Sequence, residues 1–195
     1  MAFSYQLFRP FAYLFVRGPT LNFYRFVGPS ACVAFACALY ACLPIPLDLI
    51  GDKSISGYLL PFFSSLPGFF IAALAAVVAF NGGDLDEEIV NLEARVTANG
   101  DTDWVPISLR VFLCYLFAYL TIVSFLGFFY CLIGTVLAGN IVSVVTSAIP
   151  THAASAIETL KYVFLAGVTY LAGTITFCTI QGLYFLAERV HQKLS

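Results

Sequence analysis

Six cysteines and two histidines are the residues of this chain best equipped to bind a metal or attack a substrate. Cys32, Cys37, Cys42, Cys114, Cys131 and Cys178 all fall in apolar stretches, and none forms a Cys-x-x-Cys pair. The first three recur every five residues, about 500° around a helix, so they share no face. Zinc or disulfide chemistry needs converging ligands, and these cysteines read instead as small buried apolar side chains. His152 and His191 lie on opposite sides of the topology derived below and cannot join in one site. With no Gly-x-Ser-x-Gly and no nucleophile paired with a base, the sequence predicts no catalytic residue, no metal site and no cofactor.

The groups that do cluster are carboxylates. Asp84, Asp86, Glu87, Glu88, Glu93, Asp101 and Asp103 crowd into residues 81–103 against the single Arg95. The spacing Asp84-x-x-Glu87 matches a capping box with Asp in the first position. Leu85, Ile89, Leu92 and Val96 follow at helical steps, and Asn99-Gly100 supplies a stop. This pattern predicts a short amphipathic helix over 85–98, lying beneath the membrane. Its carboxylates would be repelled by an anionic leaflet, where basic side chains are usual. Two readings follow: a solvated face over an apolar stripe packed on the spans, or a docking surface for a basic partner protein. Asp84-x-Asp86 falls far short of a calcium loop.

The elements that must hold these residues are set by composition. Of 195 residues, 61% are hydrophobic and only 10% charged, against about 25% charged in a soluble domain. So few charges cannot cover a globule, and the net charge of −2 offers a polyanion no footprint. An ordinary soluble enzyme, a disordered chain and a nucleic-acid binder are thereby excluded. Charge-free runs cover 26–47, 54–83, 111–157 and 162–187, and about 20 residues cross a bilayer core. The fold class is all-α: a polytopic membrane protein with four transmembrane helices at 28–47, 58–80, 107–137 and 159–187. Residues 81–106 form an acidic cytoplasmic loop and 138–158 an exported one. The uncharged, Ser/Thr-rich 138–157 also admits a fifth span or a re-entrant loop.

Seven cationic residues (Arg9, Arg17, Arg25, Arg95, Arg110, Arg189 and Lys193) fall on the side holding both termini, and only Lys53 and Lys161 on the other. This bias places both termini in the cytoplasm. Residues 1–27 interleave Phe and Tyr with Arg9, Arg17 and Arg25, which suits a segment lying at the headgroup boundary. Trp104 and Arg110 read as an interfacial anchor for the third span, with Arg110 snorkelling back. Ser155-x-x-Glu158 reads as a capping box opening the fourth, with a Glu158–Lys161 pair behind it. No Asp, Glu, Lys, Arg or His occupies the middle of any span, which argues against ion-coupled transport. Ala72, Ala75, Ala76, Ala79, Gly127, Gly134 and Gly167 supply small helix faces for packing within a four-helix bundle, or for self-association. The third span, at 31 residues, is too long for the core and must tilt or project.

Four spans, cytoplasmic termini, the run LPGFFIAALAA at 66–76 and the acidic Asp84-Leu85-Asp86-Glu87-Glu88 together resemble small bacterial membrane proteins of defence loci. Among these, the chain is similar to the membrane-subunit family of the Kiwa anti-phage system. The resemblance spans nearly the whole chain and implies a homo-oligomer that senses phage-induced disturbance and works with a cytoplasmic DNA-binding partner. It implies no catalytic residue. The expected function is therefore a non-enzymatic sensor or scaffold that touches lipid, its own copies and a soluble partner, with the seven carboxylates as the partner-binding set. The alternative is a small oligomeric pore lined by Thr169, Thr176 and Gln181.

Overall fold

The computed structural model describes residues 9–44, 48–50, 54–80, 85–98 and 101–192. A 3₁₀ turn, Arg9–Phe15, leads through one π turn, Phe23–Val27, into α1, Gly28–Cys42. Then come α2 (Ile55–Ala79), strands β1 (Glu88–Ala98) and β2 (Asp101–Ser108), α3 (Leu109–Ala148) and α4 (Ala153–Gln192). Four helical stretches, Phe23–Cys42, Ile55–Ala79, Leu109–Ala148 and Ala153–Ala187, are long and apolar enough to cross a membrane. The chain is an all-α, multi-pass membrane protein to which one β-hairpin is attached.

Local chemistry sets where the helices end. The first span stops at Cys42 rather than 47 because Leu43, just before Pro44, is extended (ψ 129°); a residue preceding proline is driven out of the helical region. Ser54 opens α2 by accepting the Gly57 amide at 3.3 Å. Ser108 opens α3 in the same way, accepting from Val111 at 3.5 Å, and both satisfy an otherwise unpaired helix N–H. The stretch 138–158, expected as a loop or as a separate fifth span, is mostly helical and forms no helix of its own. Its first half continues α3 to Ala148, and α4 begins at Ala153. The Ser and Thr residues there do not break α3, because their hydroxyls bond back to it: Thr146 Oγ1 to the Val142 carbonyl at 2.7 Å and Ser147 Oγ to that of Val144 at 2.9 Å. The helix ends only at Ile149, before Pro150. Since α4 starts two residues ahead of Ser155, the expected capping box does not form. At 40 residues each, α3 and α4 run about 60 Å, so both outreach a hydrocarbon core.

The helices are arranged as a row rather than a closed bundle. Along it, α2 packs on α3, α3 on α4 and α4 on α1, while α1 and α2 make no extensive contact. Glycines permit the close approaches. A Cβ at Gly127 would sit 2.5 Å from the Phe63 ring, and one at Gly167 would run into the Tyr130 hydroxyl. The alanines of α2 behave differently: Ala72, Ala75, Ala76 and Ala79 are all exposed and take no part in packing within the chain.

The N-terminal segment is docked into the core instead of only lying along a membrane surface. Tyr13, Val16 and Leu21 are buried. Tyr13 stacks on Tyr119 with centroids 5.1 Å apart and meets Phe112 at 6.0 Å. Phe15, Phe23 and Phe26 remain exposed.

Candidate functional site

The acidic segment, predicted to be a helix, is a β-hairpin. β1 pairs antiparallel with β2 from Glu88↔Ser108 through Glu93↔Pro106 and Arg95↔Trp104 to Ala98↔Asp101, with an irregularity between Glu88 and Glu93. The physical reason lies in period-two burial: Leu92 and Ala94 are buried while Glu93 and Arg95 are exposed. Leu92 and Ala94, with Ile107, join the helix core, so a strand buries what this segment has to bury. Asn-Gly between two alternating runs is a hairpin signature as well as a helix stop.

The hairpin is held to α2, α3 and the N-terminal segment by the contacts of two arginines. Arg110, the second residue of α3, grips Asp86 with both arms of its guanidinium, Nε to Oδ1 at 2.7 Å and Nη2 to Oδ2 at 3.0 Å. Its Nη1 donates to the carbonyls of Val77 (3.0 Å) and Phe80 (2.6 Å) at the end of α2. One side chain thus caps α2, opens α3 and fixes the chain between them. Its hydrogen bond also holds the Asp86 carboxyl below the usual carboxylate range. Arg17 and Glu93 exchange backbone bonds, Arg17 N to Glu93 O at 2.8 Å and Glu93 N to Arg17 O at 3.1 Å. This adds a one-residue third strand. The Arg17 guanidinium also lies 3.7 Å from the centroid of the Trp104 ring.

The predicted partner-binding set is therefore divided. Asp84 lies outside the described residues, and of Asp101 only the backbone position is described. Asp86 is committed to Arg110, though its side chain is still 60% exposed. By register, Glu88 and Glu93 lie on the same face as Arg95 and Trp104, whereas Asp103, opposite Val96, belongs to the other. Glu87, Glu88, Glu93 and Asp103 are all exposed. What the sequence presents as one acidic patch becomes a mixed face, with Glu88 and Glu93 beside Arg17, Arg95 and Trp104.

Beneath the hairpin lies a polar cluster that periodicity did not reveal. Arg25 is only 3% exposed. Its guanidinium donates to the carbonyls of Val16 (2.8 Å), Leu14 (3.3 Å) and Tyr13, closing the end of the 3₁₀ turn, and sits 4.3 Å from the centroid of the Tyr13 ring. The Tyr13 hydroxyl donates to Gln181 Oε1 and lies 3.6 Å from Cys178 Sγ. Burial pushes the Tyr13 phenol well above the usual range. Arg25 Nε and Gln181 Nε2 are buried without a partner among the described residues.

This cluster sets Gln181 apart from Thr169 and Thr176, the two residues expected to line a pore with it. Gln181 is 1% exposed and tied to Tyr13, while Thr176 faces outward and bonds back to the Ala172 carbonyl at 2.9 Å. Thr169 and Gln181 lie about 120° apart on the helix. At the opposite end of the helices, where α3 leads into α4, the expected Glu158–Lys161 pair is not formed. Lys161 and Asp48 instead line a mostly apolar cavity of about 470 Å³ between α3 and α4. The cysteines are free and spread along the helices. No family model, no curated protein and no solved structure matches the chain.

Proposed function

We propose that the chain is a non-enzymatic sensor or scaffold subunit of a bacterial inner membrane, with both termini cytoplasmic, that assembles with its own copies and recruits a soluble cytoplasmic partner. Following the resemblance to the Kiwa membrane subunits, that partner is a DNA-binding effector of anti-phage defence. The observation carrying the reading is the mounting of the hairpin. Arg110 and the Arg17–Glu93 bridge bind it to α2, α3 and the N-terminal segment at once, so a displacement of the helices reaches a surface outside the bilayer. The outer face offers carboxylates and cations in a fixed pattern, which selects a partner by charge register. An open row of helices with an exposed alanine face on α2 supports the self-association.

The test is capture of the partner from mild detergent. Glu88→Lys with Glu93→Lys should reduce recovery at least tenfold, while Asp103→Lys on the other face should not. Equal recovery from all three proteins would refute docking through this face. Ala72→Leu with Ala76→Leu should lower the assembly mass in native detergent; an unchanged mass removes α2 from the subunit contact.

A further inference from the structure

We propose that the junction between the N-terminal segment, α1 and the hairpin is a binding site for a phosphate-class anion, in the first instance the headgroup of an anionic phospholipid. The site is a pocket of about 360 Å³ whose wall includes Arg17, Asn22, Arg25 and Trp104. Two arginines therefore line one recess. Among the described residues neither has a carboxylate within 4 Å. Glu93 is joined to Arg17 through the backbone and lies on the same hairpin face, but the Arg17 guanidinium is laid over the Trp104 ring instead.

Arg25 is the decisive residue. It is 97% buried by difference from its 3% exposure, and its terminal nitrogens are bonded to carbonyls while Nε has no partner. Carbonyl dipoles orient that charge but do not neutralise it, and an uncompensated buried cation is costly. Asn22 stands at the same wall, and its side chain makes no capping bond to the helix it precedes. Among the described residues, the recess thus offers two cations and a carboxamide but no carboxylate paired with them. A phosphate supplies what is missing: negative charge with several acceptor oxygens that match the geometry of an arginine fork. Its position also fits, since the pocket opens where Phe23–Cys42 begins its span and Trp104 marks the depth at which tryptophan meets headgroups. The site shares Arg17 and Trp104 with the docking face, but its test reads lipid and phosphate binding with no partner present.

The test uses the full chain in detergent with three probes: phosphatidylglycerol, diacylglycerol with the same acyl chains, and inorganic phosphate. Lipid adducts are counted by native mass spectrometry, and phosphate binding by protection against thermal unfolding. Phosphatidylglycerol should bind in preference to diacylglycerol, and Arg17→Gln should weaken it about tenfold or more, the loss expected for one charged hydrogen-bonding group. Arg17→Lys should fall between wild type and Arg17→Gln, because it keeps charge without the fork. If phosphate protection depends on Arg17 while lipid binding does not, the anion is a soluble one and the site stands. If neither probe responds to Arg17→Gln, or diacylglycerol binds as well as phosphatidylglycerol, the proposal is overturned. Arg25→Gln should behave like Arg17→Gln; should it fail to fold, Arg17 alone decides.

Discussion

Replacing Tyr13 with Phe deletes one oxygen from a buried polar contact between the N-terminal segment and α4. The ring keeps its stacking on Tyr119 and its place under Arg25, so the change isolates the hydroxyl. That hydroxyl is the donor to Gln181 Oε1, and Gln181 Nε2 is already without a partner. After the substitution a buried carboxamide is left with both ends unpaired, a cost of about 1–3 kcal/mol. Gln181→Leu works differently. It removes the unpartnered donor together with the acceptor, and leaves the Tyr13 hydroxyl only the weak Cys178 sulfur at 3.6 Å, for a net cost of about 1 kcal/mol or less. In the double variant nothing polar is stranded, and the protein should return close to wild-type stability. The two changes should therefore be less than additive by nearly the sum of the single costs, about 1–4 kcal/mol. Reversible unfolding of the four proteins in mixed micelles measures this cycle. Strict additivity would show that Tyr13 and Gln181 do not share a bond and that Gln181 faces somewhere other than the docked N-terminal segment.

Two further outcomes follow from the hairpin and the helix row. Arg110 holds the folded Asp86 carboxyl below its unfolded value, so its contribution is complete above the usual carboxylate range and is lost as pH falls through the lowered value, below about pH 4. Amide exchange in 86–98, corrected for intrinsic rates, should therefore speed up on acidification in wild type and show little further change in Asp86→Asn; pH-independent protection in wild type contradicts the clasp. Gly127→Ala places a methyl 2.5 Å from the Phe63 ring and should cost about 1–3 kcal/mol of unfolding free energy. Combining it with Phe63→Leu should recover part of that loss, and no recovery would mean that α2 and α3 meet elsewhere.

Much of the helical architecture was legible because lipid imposes a simple rule. A backbone crossing it must satisfy its own hydrogen bonds, so long charge-free runs become helices. The ends were less legible, because they depend on single residues acting locally: Pro44 stops α1 early, Ser54 and Ser108 cap α2 and α3, and back-bonded hydroxyls let α3 run on to Ala148. The hairpin was misread for a related reason. Leu85, Ile89, Leu92 and Val96 fit a helix, yet Leu92 and Ala94 fit a strand just as well, and only the surface offered by α3 and the N-terminal segment selects the second. Arg110 read as a snorkelling anchor because its partners, Val77, Phe80 and Asp86, are 24 to 33 residues away in the chain.

The sequence by itself determined that this is a membrane protein of four helices with no charged residue at mid-span, since the price of burying charge in hydrocarbon is written into composition. Tertiary structure alone decided which polar groups meet. Tyr13 reaches Gln181 across 168 positions, Arg17 and Arg25 share a recess with Trp104, and the acidic residues are sorted onto different faces of a hairpin. Such meetings depend on the order in which the helices stand in the row, and no local periodicity encodes that order.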